Sequence, residues 1–370
     1  MFTIQMSTAS KEEFEIFLKT ISFSNYVAII NSKKHDFCGF VVDEVAVTMS
    51  SVFKMSGYQT SDDEDEVVYL NKKILSNVIK NANGNVLFEI KDHNIHITID
   101  DVKLHFVATE VANDETAEYD LILSHYNEIG DGYVINNDVK KLKTDLDRFT
   151  YFTNSNFGGS YPIFEIKDGK LTGGKNSAYS VIEDVFPIGL NVVLPIVSFK
   201  RLQSVCNMDG EVKLGSNENI VFISNGRLSY IVDITDHPQS NPDVEKIISQ
   251  QDVEASFVMS GAERDKTVDI LKRLSIVLLT KNEKTVEMSV RNNNVNFSVT
   301  DISNLSSNKS IELNVTKNDI DHVISFEISP FMKAIENFEK TNDSNIVVSV
   351  RESVLEIQFE NVKYYISIFI

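Results

Sequence analysis

The chain has 370 residues, 42% of them hydrophobic, and a formal net charge of −19. That is apolar material for about two to three packed domains, and six prolines argue against long disordered linkers. Two cysteines far apart, Cys38 and Cys206, suggest neither a disulfide framework nor a zinc site, and no run approaches the roughly 20 apolar residues that span a bilayer.

The chain opens on a short strand, "FTIQM", without the basic and apolar segments of a secretory signal, so a soluble intracellular protein is expected. "SKEEFEIFLKTIS" then spaces Phe14, Phe17, Leu18 and Ile21 three or four apart and predicts a helix. "FCGFVVDEVAVTMSSVF" (37–53) alternates apolar and polar residues, as antiparallel strands with one buried face do. The acidic run "SDDEDE" (61–66) lacks the glycine turn and spaced final Glu of a calcium loop and reads as a solvated hairpin loop. "VVYL" leads into a second helix, "NKKILSNVIKN". "NVLFEIKDHNIHITIDDVKLHFVAT" (85–109) returns to alternation, with His93, His96 and His105 in or beside its strands.

The same order follows twice more. "GYVI" precedes a helix in "NNDVKKLKTDLDRF", with Val139, Leu142, Leu146 and Phe149 on one stripe, and "NVVL" precedes a helix in "PIVSFKRLQSVCN". "GGK" at 173–175 has no upstream glycine to complete a phosphate loop. "EASFVM" precedes a helix in "AERDKTVDILKRL", carrying Val268, Leu271 and Leu274. "ISFEI" precedes another in "PFMKAIENFEK", and "NIVVSVRESVLEIQFENVKYYISIF" (345–369) closes in strands. Pro195 and Pro330 stand where a first helical turn tolerates proline. The sequons at Asn304, Asn308 and Asn314 read as loop asparagines. No HExxH, Ser/His/Asp or Cys/His spacing suggests catalysis, and no cofactor is implied.

First helices begin near 10, 136 and 262, second helices near 71, 195 and 330, so one spacing of roughly 125 residues holds in both series. This predicts an α+β chain of three similar domains, 1–125, 126–250 and 251–370, each with two helices on antiparallel sheet. Charge sorts by element: the six helical windows hold 17 Lys or Arg against 11 Asp or Glu, a net of +6 in a chain of −19. Exposed lysines are ordinary on helices. Six helices that together lean positive in an acidic chain fit better a surface that gathers helices and holds a polyanion. The window 10–20, with Glu12, Glu13 and Glu15, is net negative and fits least well.

Three repeats of this length, acidic overall with basic helices, resemble the bacterial replicative sliding clamp, the β processivity factor of DNA polymerase. "YPIFEIKDGKLTGGKNSAYSVIED" (161–184) is similar to the family's apolar strand, D-G-x-L, then T-D-x-x-R-L. "SNPDVEKIIS" (240–249) is similar to its F-P-D-Y segment, and "SFEISPFMKAIENF" and "VKYYISIFI" to its last helix and closing strand. Two departures point to a divergent, phage-type or otherwise remote clamp: Asn176-Ser177-Ala178-Tyr179-Ser180-Val181 replaces T-D-x-x-R-L, and Ser367 replaces the tail proline.

The resemblance implies a non-enzymatic head-to-tail homodimeric ring in the cytoplasm of a bacterial or phage-infected cell. Helices would line its hole around double-stranded DNA, and a DNA polymerase and a clamp loader would be its protein partners. The candidate DNA contacts are then Lys72, Lys73, Lys140, Lys141, Lys143, Arg148, Lys200, Arg201, Arg264, Lys266, Lys272 and Arg273. Phosphate contacts carry no base information, so such a lining can slide. Matched by position, the partner pocket comprises Val181, Pro242, Ile247, Tyr364, Ile366 and Ile368. The dimer seam falls on Leu104 and Phe106 in "VKLHFVAT" and on Leu278 and Leu279 in "LSIVLLTKNEK". Two other readings stay open: a clamp-like DNA-binding factor that does not close a ring, and a non-DNA all-β binding protein. The second needs no basic helices, and many of the 23 phenylalanines fall at core rather than exposed loop positions.

Overall fold

The computed structural model describes residues 1–21, 23–60, 66–91, 93–108, 113–128, 133–135, 139–153, 163–175, 177–208, 210–217, 219–234, 243–278, 285–300, 306–318, 323–338 and 345–369. The expected acidic loop at 61–66 lies almost wholly outside them.

The first third of the chain runs β1 (Phe2–Met6), α1 (Thr8–Thr20), β2 (Tyr26–Ser32), β3 (Phe37–Glu44), β4 (Met49–Lys54) and β5 (Tyr58–Thr60). It continues with β6 (Glu66–Asn71), α2 (Lys72–Asn81), β7 (Val86–Lys91), β8 (Asn94–Ile99), β9 (Val102–Val107) and α3 (Asn113–Asn127). The middle holds β10 (Tyr133–Ile135), α4 (Val139–Thr153), β11 (Ile163–Lys167), β12 (Lys170–Lys175), β13 (Ala178–Ile182) and β14 (Val192–Pro195). After these come α5 (Val197–Cys206), β15 (Val212–Ser216), β16 (Ile220–Ser224), β17 (Leu228–Asp233) and the short α6 (Val244–Ser249). The last third holds β18 (Val253–Met259), α7 (Gly261–Val277), β19 (Thr285–Arg291), β20 (Asn294–Thr300), β21 (Ser306–Glu312) and β22 (Asn314–Asn318). It ends with β23 (Ile324–Glu327), α8 (Ile328–Glu336), β24 (Ile346–Arg351), β25 (Val354–Phe359) and β26 (Val362–Phe369). One order, strand–helix–strands–helix–three strands, therefore occurs three times.

Local chemistry sets the boundaries. Ser7 caps α1 by accepting from the Ser10 amide, Asn71 caps α2 through Lys73, and Ser260 forms a reciprocal capping box with Glu263 at α7. Hairpins turn on residues that tolerate positive φ: His93 (62°), Asp100 (49°) and Asn292 (53°). Pro330 lies in the first turn of α8, as expected. Pro195 instead ends β14, two residues before α5, because its register pairs it with Ile163. Asn308 and Asn314, expected in loops, lie in β21 and β22. The alternation of 37–53 is broken by a 3-10 turn at Val45–Val47 between β3 and β4.

The chain divides into two compact units, Met1–Val139 with Val197–Pro238, and Lys140–Ile196 with Gln239–Ile370. The middle segment contributes to both: β10, α5 and β15 to β17 belong to the first, α4 beyond its first residue and β11 to β14 to the second. All pairing is antiparallel. The first unit holds a five-stranded sheet, β5-β1-β7-β8-β9, and an eight-stranded sheet, β10-β15-β16-β17-β4-β3-β2-β6. The second unit is built on β14-β11-β12-β13-β26-β23-β19-β20-β21, with β25, β24, β18 and β22 continuing from β26.

The helical stripes are buried as their spacing requires. Phe14 and Phe17 of α1 are out of solvent and stack against Phe40 and Phe53, with ring centroids 4.3–5.6 Å apart. In the second unit Phe331 of α8 packs on Phe326 and Phe297, at 5.0 and 6.1 Å. Each such ring contributes about 1.5–3 kcal/mol by burial. Two helices were not expected. In α3, Tyr119, Ile122 and Leu123 pack on Ala28, Val41, Val52 and Ile231 of the eight-stranded sheet. In α6, Ile248 is buried on Val181 and Tyr365. The boundary expected after residue 125 falls inside α3.

Candidate functional site

Three surfaces carry the residues singled out in the sequence. The first is the outward face of the helices. Lys73, Lys140, Lys141, Lys143, Lys200, Lys266, Lys272 and Arg273 are exposed. Lys272 leans on Glu336 (2.8 Å), and Arg273 on Asp269 (2.6 Å). Lys80, not singled out, lies seven residues beyond Lys73 and is exposed with it; that spacing was its signal.

Four of the twelve cations are structural instead. Arg201 is 4% exposed; its Nη2 lies 2.6 Å from Glu44 Oε2, and its guanidinium lies 5.6 Å from the Tyr230 ring centroid. Arg264, 5% exposed, donates to the Phe338 carbonyl and to Asp265. Arg148 packs beside buried Asp145 (3.5 Å) and within 3.9 Å of Glu360. Lys72 donates to the Ile21 carbonyl, and burial lowers its pKa. Arg201 and Arg264 depart from the expected phosphate contact, because a buried cation already holding an acceptor has no face to offer a polyanion; half-buried Arg148 and Lys72 are engaged by protein acceptors.

The second surface is the junction of β13 and β26. Val181 pairs with Lys363, Ser180 with Tyr364 and Ala178 with Ile366. Side chains alternate across a strand, so Val181 shares its face with Tyr179 and Tyr365, whereas Tyr364 and Ile366 point to the opposite face. There the Tyr364 hydroxyl donates to the Arg148 carbonyl (3.1 Å) and its ring lies 5.8 Å from that of Phe338. The expected grouping is thus corrected by one residue in β26: Tyr364 and Ile366 are core, and Tyr365 belongs beside Val181. Ile368, half-buried, has the parity of Ile366 and pairs with Phe326 of β23. Pro242 lies outside the described residues.

What assembles on the Val181 face is an apolar patch of half-buried Tyr179, Val244 and Val354 over buried Val181, Ile248 and Tyr365. Ile247 projects beside it, 55% exposed. Burial pushes the Tyr179 hydroxyl to about 12. A four-charge ring borders the patch: Lys170 reaches Glu245 (2.7 Å) and Glu183 (3.2 Å), and Lys363 reaches the same two at 3.3 and 3.4 Å. Burial raises the Glu183 carboxyl, but the hydrogen bond from Lys170 and the two ammonium charges outweigh it and hold the group below the ordinary glutamate range.

The third surface is the free edge of the five-stranded sheet, β9. Its Val102 is 57% exposed, and Leu104 and Phe106 are only half-buried. The corresponding residues of β17 (Leu228, Tyr230, Val232) and of β26 (Val362, Tyr364, Ile366) are fully buried. Leu278 is fully buried at the end of α7, which corrects its expected place at a seam, and Leu279 lies outside the described residues. Among the described residues no group of three His, Cys, Asp or Glu could hold a metal ion, and no helix is long and apolar enough to cross a membrane.

Paired helices on antiparallel sheet, in an order repeated three times along one chain, define the sliding-clamp fold. Solved structures share it over the whole chain. The DNA polymerase III β subunit of Thermotoga maritima matches with TM-score 0.76 at 10% identity, covering 100% of both chains. The sliding clamp of Bacillus subtilis matches with TM-score 0.74 at 14% identity, over 100% of this chain and 98% of its own. That of Pseudomonas aeruginosa matches with TM-score 0.73 at 13% identity, over 100% of both. This chain has the fold of bacterial DNA polymerase III β clamps, with a sequence far diverged from theirs. No family model and no curated protein matches the sequence itself.

Proposed function

We propose that this chain is a DNA sliding clamp. Two copies close head to tail around duplex DNA, and the ring tethers a DNA polymerase after a clamp loader has opened it, in the cytoplasm and with no catalysis of its own. We divide it into the three domains expected, 1–125, 126–250 and 251–370, with the first boundary moved past the end of α3. The observation that carries this reading is the uncovered inner row of β9. The last strand of the middle repeat, β17, is covered by β4, and the last strand of the third, β26, by β13. Among the described residues, the last strand of the first repeat, β9, has no such cover, and β21, the counterpart of β4 and β13 in element order, is likewise an edge. Antiparallel pairing of β9 with β21 of a second copy, made twice, buries Val102, Leu104 and Phe106 and covers both of these edges. The exposed lysines support a non-specific hold on phosphate, and the acidic remainder of the chain disfavours DNA elsewhere on its surface.

The deciding measurement is solution mass joined to DNA retention. A dimer of about 83 kDa, twice the 41.7 kDa chain, that stays on nicked circular DNA and leaves when the circle is linearised supports the ring. A 41.7 kDa monomer with equal retention on both forms would sink it and favour a clamp-like factor that binds without encircling.

A further inference from the structure

The first unit has a groove along one flank of α3 that none of the three surfaces uses. Glu118, Leu121, Ile122 and His125 follow at three- and four-residue spacing and so form one stripe of the helix. The stripe faces the β16–β17–β4 stretch of the sheet, where Ile220 and Ile231 supply an apolar floor. The cavity is about 290 Å³, at the lower end of the roughly 300–1,000 Å³ of ligand sites. Two of its apolar lining residues remain open to solvent: Leu121 is 59% and Val45 77% exposed.

Its charge has one sign. Asp43, Glu118 and Asp233 line it, and among the described lining residues there is no Lys or Arg. Burial raises the Asp43 carboxyl above the ordinary aspartate range, a bias that a cation beside it would oppose. The patch over Val181 differs, because there two lysines balance two glutamates.

We propose that the α3 groove is a second docking site, which takes a short peptide segment with one or two aliphatic anchors flanked by Lys or Arg. The floor removes the aliphatic side chains from water, and the carboxylates select basic flanks while repelling acidic segments and nucleic acid. The site is independent of ring closure and of the Val181 patch, so it stands or falls apart from the clamp reading.

Its test uses the full-length protein and a labelled peptide with two leucines between lysine pairs, followed by fluorescence anisotropy at about 0.15 M salt. Replacing Leu121 and Val45 together by serine weakens binding about tenfold or more, and Glu118→Lys does likewise. Glu352→Lys makes the same charge change at an exposed turn of the second unit and shifts affinity less than about twofold. The altered side chains are exposed, so thermal unfolding stays at the wild-type value. Three results would overturn the proposal: equal weakening by Glu352→Lys, which means bulk charge; equal binding of a peptide with serines for leucines; or loss of binding in Ile247→Ser, exposed beside the Val181 patch, which puts the peptide there.

Discussion

Arg201 Nη2 and Glu44 Oε2 lie 2.6 Å apart with both side chains out of solvent, joining α5 to the end of β3 across 157 residues of sequence. Glu44 also accepts from the Phe23 amide, so its charge is held by two donors. Removing Arg201 takes away the countercharge of a buried carboxylate, whereas removing both removes the penalty with the attraction. Arg201→Ala should therefore lower unfolding free energy by about 3–5 kcal/mol, and Arg201→Met with Glu44→Leu should recover most of it. Urea titration of the two variants decides this; equal losses would mean that packing, not charge, governs the site.

The uncovered row of β9 predicts what breaks assembly. Leu104→Glu with Phe106→Glu places charge where a second copy's strand should lie, and those positions are already half-open to water in the single chain. We expect folded monomers of 41.7 kDa by light scattering. A dimer that survives the double change means that association uses another surface.

The exposed lysines predict a salt signature. Neutralising Lys73, Lys143, Lys200 and Lys266 together should weaken duplex binding uniformly across sequences. The slope of log K against log salt should drop by about 0.9 for each lost phosphate contact. Lys80→Ala should add to the effect. Arg201 is the internal control: at matched folded fraction, its replacement should leave the salt slope unchanged, and a change would return it to the contact surface.

The ring of Lys170, Lys363, Glu183 and Glu245 links stability to pH. Glu183 is held below its ordinary value, so its contribution is present above about pH 4.3 and is lost as pH falls through the folded value. For Lys170 burial pulls the ammonium down, but hydrogen bonds to Glu245 and Glu183 win and raise it. Its contribution is thus present below about pH 10.4 and is lost as pH rises through the folded value. These groups are partly exposed and the gain is small. Thermal unfolding of Glu183→Gln against pH should show a shallower acid limb than wild type; parallel limbs would mean the pairing carries no net energy.

Much of the fold is legible because helical stripes are local. Phe14, Phe17 and Leu18, or Leu142, Leu146 and Phe149, announce a buried face within two turns. The α3 stripe of Tyr119, Ile122 and Leu123 has the same spacing, yet it follows an Asn-Asp-Glu-Thr run that reads as a loop. Long-range facts are not local. Lys200 and Arg201 are neighbours of one charge, and only Glu44, far off in sequence, makes one buried and the other exposed. The face of each residue in β26 was unreadable for a related reason: Tyr364, Tyr365 and Ile366 are all buried, so no alternation shows which side each takes.

That parity yields the sharpest test of partner binding. On the Val181 face, half-buried Tyr179 and Val354 and the projecting Ile247 form apolar surface over buried Tyr365, bordered by paired charges. An inserted segment would draw most of its affinity from a few such side chains. On the opposite face, Ile366 is fully buried and closes the core on which the Tyr364 bond to the Arg148 carbonyl depends. Tyr179→Ser with Ile247→Ser should therefore cut polymerase stimulation on primed DNA by about tenfold or more, while dimer mass stays at the wild-type value. Ile366→Ser should instead behave as a core deletion, costing about 2–5 kcal/mol in urea and losing stimulation only as the protein unfolds. If folded Ile366→Ser loses stimulation while the Tyr179/Ile247 variant keeps it, the segment docks on the other face of β26 and the assignment of the Val181 face is wrong.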